Sequence, residues 1–375
     1  MDKLILFPYW LALKIRHFLF DHNIRKSHPT EVPSICLGNV TVGGTGKTPH
    51  TEMLLRELLE DEYWGSRNIA VLSRGYKRRS KGFQQVSLDG TAREFGDEPV
   101  QLKKKFPYVT VAVDKSRVQG CRFLSHPEML KSSKRARRCR HKDMEKAELI
   151  ILDDAFQHRS IKPTVNIVLV DFNRPTFKDH LLPLGRLRDL PERVKEADII
   201  IVSKCPSYID AWEKEKWANA LGLKAYDQAE CCGLRKDGSR QHIFFSTIKY
   251  DSAKAVYEEG DARYVYAQRL ILFTGIANDK PLRDYLSGTY KIVRHFQFPD
   301  HHKFTKADIS SIEAAAAAFP TSVVMTTEKD SQRVRDYKKT SLNLKQRLFH
   351  APIKAEFVSE GDRSIFISLV KSLLK

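Results

Sequence analysis

The chain lacks the cysteine spacing of a zinc or dithiol protein. Its six cysteines, Cys36, Cys121, Cys139, Cys205, Cys231 and Cys232, include no C-x-x-C pair. They read as reduced thiols of a cytoplasmic protein. The chain also lacks an unbroken apolar run of about 20 residues, the length that spans a bilayer. Its most apolar stretch, Leu4 to Phe20, is interrupted by Lys14, Arg16 and His17. No cleavage site of small residues follows that stretch, so a secretory signal is not expected. There is no internal repeat and no long disordered tract. Acidic charge is in short supply: 64 Lys and Arg face 46 Asp and Glu, a formal net charge of +18. That balance favours acidic partners such as anionic lipid, phosphorylated substrates or nucleic acid. The densest basic run, Lys131 to Lys142, lacks the interleaved aromatics of a single-strand stacking surface. A solvated basic face is the simpler reading of it.

What the chain does have is a series of short Val/Ile/Leu runs alternating with helical patterns. Pro33 to Asn39, Ile69 to Ser73, Tyr108 to Asp114, Leu149 to Asp154, Asn166 to Asp171 and Asp198 to Lys204 are continuous apolar runs. Strands buried on both faces of a parallel sheet look like this. The expected fold is α/β: a P-loop NTPase-like, doubly wound, mostly parallel sheet with a second, smaller α/β C-terminal domain. At 375 residues two domains are the default. The expected division is an N-terminal amphipathic helix over 1–26, a core over 27–235, and linker strands with the smaller domain over 236–375. In the N-terminal helix, Lys3, Lys14, His17 and Asp21 fall on one stripe, with Phe7 and Trp10 between them. Two fates are open for it: lying in a bilayer interface, or packing on the protein's own core.

Ligands in such sheets bind beyond the carboxyl ends of the strands. "GNVTVGGTGKTP", Gly38 to Pro49, sits at one of these ends and nearly spells G-x-x-x-x-G-K-[ST]. Gly46, Lys47 and Thr48 match, but Thr41 stands where the first glycine belongs. Gly43, Gly44 and Gly46 let backbone N–H groups close on phosphate oxygens, and the following helix aims its N-terminal donors at the same anion. Thr41, Val42, Gly43, Gly44, Thr45, Gly46, Lys47 and Thr48 are therefore the expected nucleotide-binding loop. Lys47 would reach the β/γ-phosphates and Thr48 would ligate Mg²⁺. "LIILDD" supplies the carboxylates such a metal needs, Asp153 and Asp154. Arg74 and Arg117 each follow a strand. "FGDEP" places Asp97 and Glu98 in a rigid turn. "FPDHHKFT" gathers Asp300, His301 and His302; with no third metal ligand in reach, acid/base work suits them better than a metal.

Six motifs occur in order: "GNVTVGGTGKTP", "VLSRGY", "GDEP", "ILDDAFQH", "LLPLGRLRD" and "FPDHHKF". Together they resemble the lipid A 4′-kinase (tetraacyldisaccharide 4′-kinase) family over nearly the whole chain, including the substitution at Thr41. The resemblance implies a peripheral P-loop kinase at the cytoplasmic face of the bacterial inner membrane, working as a monomer. It would use ATP and Mg²⁺ to phosphorylate the 4′-hydroxyl of an acylated glucosamine disaccharide 1-phosphate, giving lipid IVA. It also implies that Asp97 is the catalytic aspartate and His301 its partner, and that Arg74 and Arg117 serve the phosphates or the active site. Asp153 and Asp154 become the metal-binding pair, with Asp189 of "GRLRD" a further candidate. Two departures bear on this. Ala155 replaces a family glycine and would cost roughly 1 kcal/mol if that position needs positive φ. Asp189 stands where glutamate is common. Nucleic acid is not an expected partner. The rival is a P-loop GTPase or nucleic-acid-associated ATPase using the basic surface. Lys204 of "IVSK" is similar to a GTPase guanine-binding lysine, but no N-K-x-D follows.

Overall fold

The computed structural model describes the backbone of residues 2–375 and the side chains from residue 6 onward. Ser34–Gly38, buried throughout, occupies the middle of an eleven-stranded sheet. It pairs in parallel with Leu149–Asp153 on one side and Val165–Asp171 on the other. Outward from the first neighbour lie Ile69–Ser73, Thr110–Val113 and an antiparallel edge, Gln84–Gln85. Outward from the second lie Ile199–Ser203 and Arg240–Tyr250, both parallel. The expected apolar runs are these strands. Helices cover both faces and bury two separate apolar clusters, so each strand is apolar on both sides. All six cysteines are free and buried. Burial pushes the Cys36, Cys121, Cys205 and Cys231 thiols up to about 12, which makes them inert packing groups.

A second, five-stranded sheet is parallel over Leu348–Ala351, Val323–Thr327, Arg269–Thr274 and Lys291–Gln297. The division expected at residue 235 falls inside the first sheet, because Arg240–Tyr250 is one of its parallel strands. The chain then leaves for the second sheet and comes back. Ile353–Phe357 pairs antiparallel with Arg240–Tyr250, and Phe366, Val370 and Leu374 of the last helix enter the first lobe's core. The crossing point is marked by a bond from Asp251 N–H to Pro352 C=O at 2.9 Å. A strand pattern shows that a segment is extended; it does not show which sheet its edge will pair with.

The N-terminal helix, Asp2–Asp21, packs one face on the first lobe and leaves an apolar face exposed. His17, on the polar stripe, points inward with Leu13, and both are buried. Phe7, Leu11, Ile15 and Phe18, spaced three or four residues apart, face outward. The inward face is held by specific bonds. Tyr9 Oη donates to Arg188 C=O at 2.8 Å, and Arg159 donates to His17 C=O at 3.2 Å and to the Asp21 carboxylate at 2.7 Å. Among the described residues no helix is long and apolar enough to cross a membrane.

Candidate active site

The loop after Ser34–Gly38 has the backbone a phosphate cradle needs. Gly43, Gly44 and Gly46 all take positive φ, at 78°, 34° and 84°. The helix Lys47–Glu60 starts directly after them. Gly38 allows the chain to leave the strand: a Cβ there would lie 2.5 Å from Phe156 Cβ. Thr41, where a glycine was the general expectation, is buried and forms a β-bridge with Leu187, and Val42 N–H donates to Arg186 C=O at 2.8 Å. That side of the loop is thus fastened to the 181–190 segment, and Thr41 Oγ1 also accepts from Asn39 Nδ2 at 3.2 Å, a bond that glycine could not make. Thr45 Oγ1 accepts from Asn39 Nδ2 at 2.7 Å, and Thr45 C=O accepts from Ser203 Oγ at 2.8 Å. His50, buried in the first turns of the helix, lies 2.7 Å from both Gly46 C=O and Ser246 Oγ. Burial pulls its pKa down to about 4, so it stays neutral and ties the loop to the neighbouring strand.

Lys47 Nζ lies 3.4 Å from Asn39 Oδ1 and 3.6 Å from Asp154 Oδ1. Asp154 is also paired with Arg188, whose Nη2 donates to Asn39 Oδ1 at 2.6 Å. Burial works against the Asp154 charge, but Lys47 and Arg188 outweigh it and hold the carboxyl far below its usual range. Asp153, one residue earlier, behaves in the opposite way. It ends a buried strand and accepts from Ser73 Oγ at 3.0 Å. Burial, then the charges of Glu98 and Asp154, push it up to about 6. Thr48 Oγ1 is 3.4 Å from Glu98 Oε1.

This donor set fits Mg²⁺. It is all oxygen, its carboxylates repel one another, and Asp153 bears the excess negative potential that a cation would relieve. Among the described residues no three His, Cys, Asp or Glu are grouped to hold a metal unaided. Mg²⁺ commonly takes one or two carboxylates and completes its shell from phosphates and water. Thr48, Asp153 and Asp154 are the residues that could hold it.

Asp189 is not brought to this cluster. Its buried carboxylate lies 2.6 Å from His17 Nε2 and 3.8 Å from Arg193 Nε, beneath the N-terminal helix. The backbone turns between residues 188 and 189, so Arg188 faces the loop and Asp189 faces away. The expected metal role for Asp189 is replaced by a docking role. Arg117 is also not free to meet a phosphate. Its buried guanidinium donates to Asp114 C=O at 2.7 Å and Asp153 C=O at 2.9 Å, so it braces the acidic pair from behind. Arg74 is exposed at the end of its strand, with no hydrogen bond to the other described residues. Ala155 carries no strain, because the positive φ falls on Asp154, at 50°. Lys204 pairs with Asp171 at 2.5 Å.

Asp97 and Glu98 were expected in a turn and instead open a helix, Asp97–Lys105, behind Gly96 at φ 97°. Asp97 is buried, and His301 of the second lobe reaches it, with Nδ1 at 3.4 Å from Oδ2. His301 itself sits at φ 59°, its N–H bonded to Gly275 C=O at 3.1 Å. His302 turns the other way, to Asp308 at 2.9 Å, and stacks on Phe298. Two residues that sequence reasoning passed over complete the contact: Arg333 is ion-paired with Asp97 and Lys329 with Glu98. Both lie in the helix Glu328–Arg335, where "TTEKDSQRVR" reads as an ordinary charged helix and gives no local signal. Burial opposes the Asp97 charge, yet His301, Arg333 and Lys329 hold its carboxyl far below the usual range. Asn39 and Arg188 were missed for a similar reason, since nothing in their local sequence says that they converge on Lys47 and Asp154.

The geometry is therefore a glycine loop with a lysine, a group of oxygen donors that could hold Mg²⁺, and a buried aspartate–histidine contact made across two lobes. Comparison with known proteins agrees with it. The sequence model of the family described as tetraacyldisaccharide-1-P 4'-kinase matches residues 4–373. A tetraacyldisaccharide 4'-kinase of Parabacteroides distasonis is 35% identical, over 98% of this chain and 92% of its own length. That of Flavobacterium johnsoniae is 37% identical, over 95% and 93%. The crystal structure of LpxK from Aquifex aeolicus, in complex with ATP, covers the whole of both chains with a TM-score of 0.68 at 24% identity, which shows a common fold. No support for the GTPase or nucleic-acid reading comes from these comparisons. With a family match running through nearly every residue, the chain belongs to the tetraacyldisaccharide-1-P 4'-kinase family.

Proposed function

We propose that the protein transfers the γ-phosphoryl group of ATP to the 4′-hydroxyl of a tetraacylated glucosamine disaccharide 1-phosphate, yielding lipid IVA. The observation that carries this reading is the contact of Asp97 with His301, made across the lobes beside the glycine loop. It adds to the names of the relatives and to the ATP in the related crystal structure. A sugar hydroxyl is a weak acid, so a base must take its proton as phosphoryl transfer proceeds. Asp97 is buried and anionic where the two lobes meet, and it accepts that proton with His301 beside it. Lys47, Thr45 and the N–H groups of Gly43 to Thr48 hold the β- and γ-phosphates, and exposed Arg74 extends the cationic wall. Bound at Thr48, Asp153 and Asp154, Mg²⁺ would neutralise charge on the phosphates during transfer. Arg117 and Ser73 keep Asp153 in place.

The substrate's acyl chains remain in a bilayer, which requires the enzyme to work at its surface. The outward Phe7, Leu11, Ile15 and Phe18 form an apolar strip next to Lys14, a combination suited to the headgroup region. We place the protein as a peripheral monomer on the cytoplasmic face of the inner membrane. The test is mass spectrometry of a tetraacyldisaccharide 1-phosphate incubated with ATP, Mg²⁺ and the protein. A mass gain of one phosphate is expected, and Asp97→Asn should slow it by about 10²- to 10⁴-fold with ATP affinity retained. No mass gain with the wild-type chain, or wild-type rates in Asp97→Asn, would overturn the substrate or the base respectively.

A further inference from the structure

Asp97 meets two partners from the second lobe, and they compete. Its Oδ2 is ion-paired with Arg333 and lies 3.4 Å from His301 Nδ1, while Arg333 Nη2 lies 3.0 Å from that same Nδ1. A guanidinium only donates. For Nδ1 to accept from Arg333, the ring proton must sit on Nε2, and His301 then has nothing at Nδ1 to give to Asp97. Arg333, charged whatever the histidine tautomer, is therefore the permanent cation in contact with Asp97 in this arrangement.

Arg333 is itself held rigidly. Its side chain is 8% exposed, and its other arm donates to Asp330 Oδ1 at 2.7 Å and to Gly275 C=O at 3.0 Å. Gly275 C=O also accepts from the His301 backbone, so the arginine and the histidine hang from one carbonyl. Four residues earlier, on the same helix face, Lys329 grips Glu98. Two cations of one helix thus hold two consecutive carboxylates in the first turn of another.

Building on the reading of Asp97 as base, we infer that Arg333 is its positioning residue, keeping the carboxylate ionised and aimed while Lys329 pins Glu98, so that the base is complete only when the second lobe is docked. The charged groups facing Asp97 are Arg333 and Lys329 from the helix and His301 from the loop after Lys291–Gln297. Glu98 lies beside it, and Asp330 and Asp300 lie behind Arg333. Without Arg333 a buried carboxylate loses its nearest cation and protonates at higher pH. Loss of Lys329 acts in the same direction and more weakly, by releasing the negative charge of Glu98.

The experiment compares full-length wild type, Arg333→Met, Arg333→Lys and Lys329→Met. For each, kcat/KM toward the lipid acceptor in mixed micelles is measured across pH, together with ATP affinity and the thermal midpoint. In Arg333→Met the acid limb should move to higher pH by about one unit or more, so that its loss of kcat/KM relative to wild type grows as pH falls toward the displaced limb and is constant well above it. ATP affinity should be unchanged, and Arg333→Lys should return the limb toward its wild-type position. A folded Arg333→Met with an unmoved acid limb overturns the inference, because a merely structural role lowers the rate equally at every pH. If Arg333→Met does not reach a native thermal midpoint, Lys329→Met decides: a smaller shift in the same direction supports the inference, and no shift overturns it. Failure of the base reading shows separately, as wild-type turnover in Asp97→Asn.

Discussion

Asp153 and Asp154 are neighbours of the same chemical type, yet their carboxyls are driven in opposite directions. Asp153 is pressed up to about 6 by burial and nearby carboxylates, whereas Asp154 is held down by Lys47 and Arg188. "LIILDD" announces two acids at a strand end; which cations come to one of them and not the other is a matter of strands far apart in sequence. Arg117 shows the same limit. It was legible as an arginine past a strand, but its direction, into the Asp114 and Asp153 carbonyls, was not. Arg117→Met should therefore destabilise the fold by about 2–3 kcal/mol, since it leaves two buried carbonyls without a donor. Urea midpoints measure this. Asp189 permits a pH prediction. Burial raises its carboxyl, but His17 and Arg193 prevail and lower it below its unfolded value. A depressed carboxyl contributes stability that is complete above the unfolded pKa of about 3.9 and is lost as pH falls through the folded value. Asp189→Asn should accordingly lower the urea midpoint at neutral pH and flatten its decline below about pH 4. An unaltered acid decline would show that the pair with His17 is not felt by the fold.

At the scale of single elements, the N-terminal helix is the instructive case. Its composition suggested a basic, aromatic stripe for a membrane. The structure turns the helix so that His17 satisfies Asp189 inside and Phe7, Trp10, Leu11, Ile15 and Phe18 stay outside. A buried carboxylate needs a partner more than Phe18 needs a core, and that ranking sets the rotation of the helix. Ile15→Asp or Phe18→Asp should weaken binding to anionic vesicles by about tenfold or more, the effect of losing one buried apolar side chain. The thermal midpoint should hardly move, because both side chains are solvated in the free protein. Leu13→Asp, on the inward face, should lower the midpoint instead. The helix carrying Asp97 teaches a related lesson. Gly96 and Pro99 looked like turn residues, but a proline in the first helical turn costs no hydrogen bond and a glycine at positive φ is a suitable entry.

For the molecule as a whole, the two lobes are joined by more than the crossing strands. Behind the active site Lys105 lies 2.7 Å from both Glu52 and Glu328, so one lysine spans two lobes. Glu52 is 1% exposed and Glu328 is raised by burial and by Glu52. Lys105→Met would leave Glu328 without its lysine and Glu52 with Arg56 at 3.3 Å, and a loss of about 3 kcal/mol is expected. Calorimetry should show it, with the single unfolding transition broadening or splitting as the lobes uncouple. The Asp97 and His301 candidates came from resemblance to the family; the parallel α/β architecture, the glycine loop with Lys47 and Thr48 and the acidic pair after its strand were legible in the residues themselves. These are local matters: apolar runs, glycine φ and short spacings are properties of neighbouring residues. Only the tertiary structure decided that residues 240–250 and 353–374 belong to the first lobe, that Asp189 docks a helix, that Arg117 braces a strand, and that Arg333 reaches Asp97. Each of those depends on pairing of sheet edges or neutralisation of buried charge between residues tens to hundreds of positions apart. Such energies are settled by which surfaces come to exclude water together, and no short window of sequence contains them.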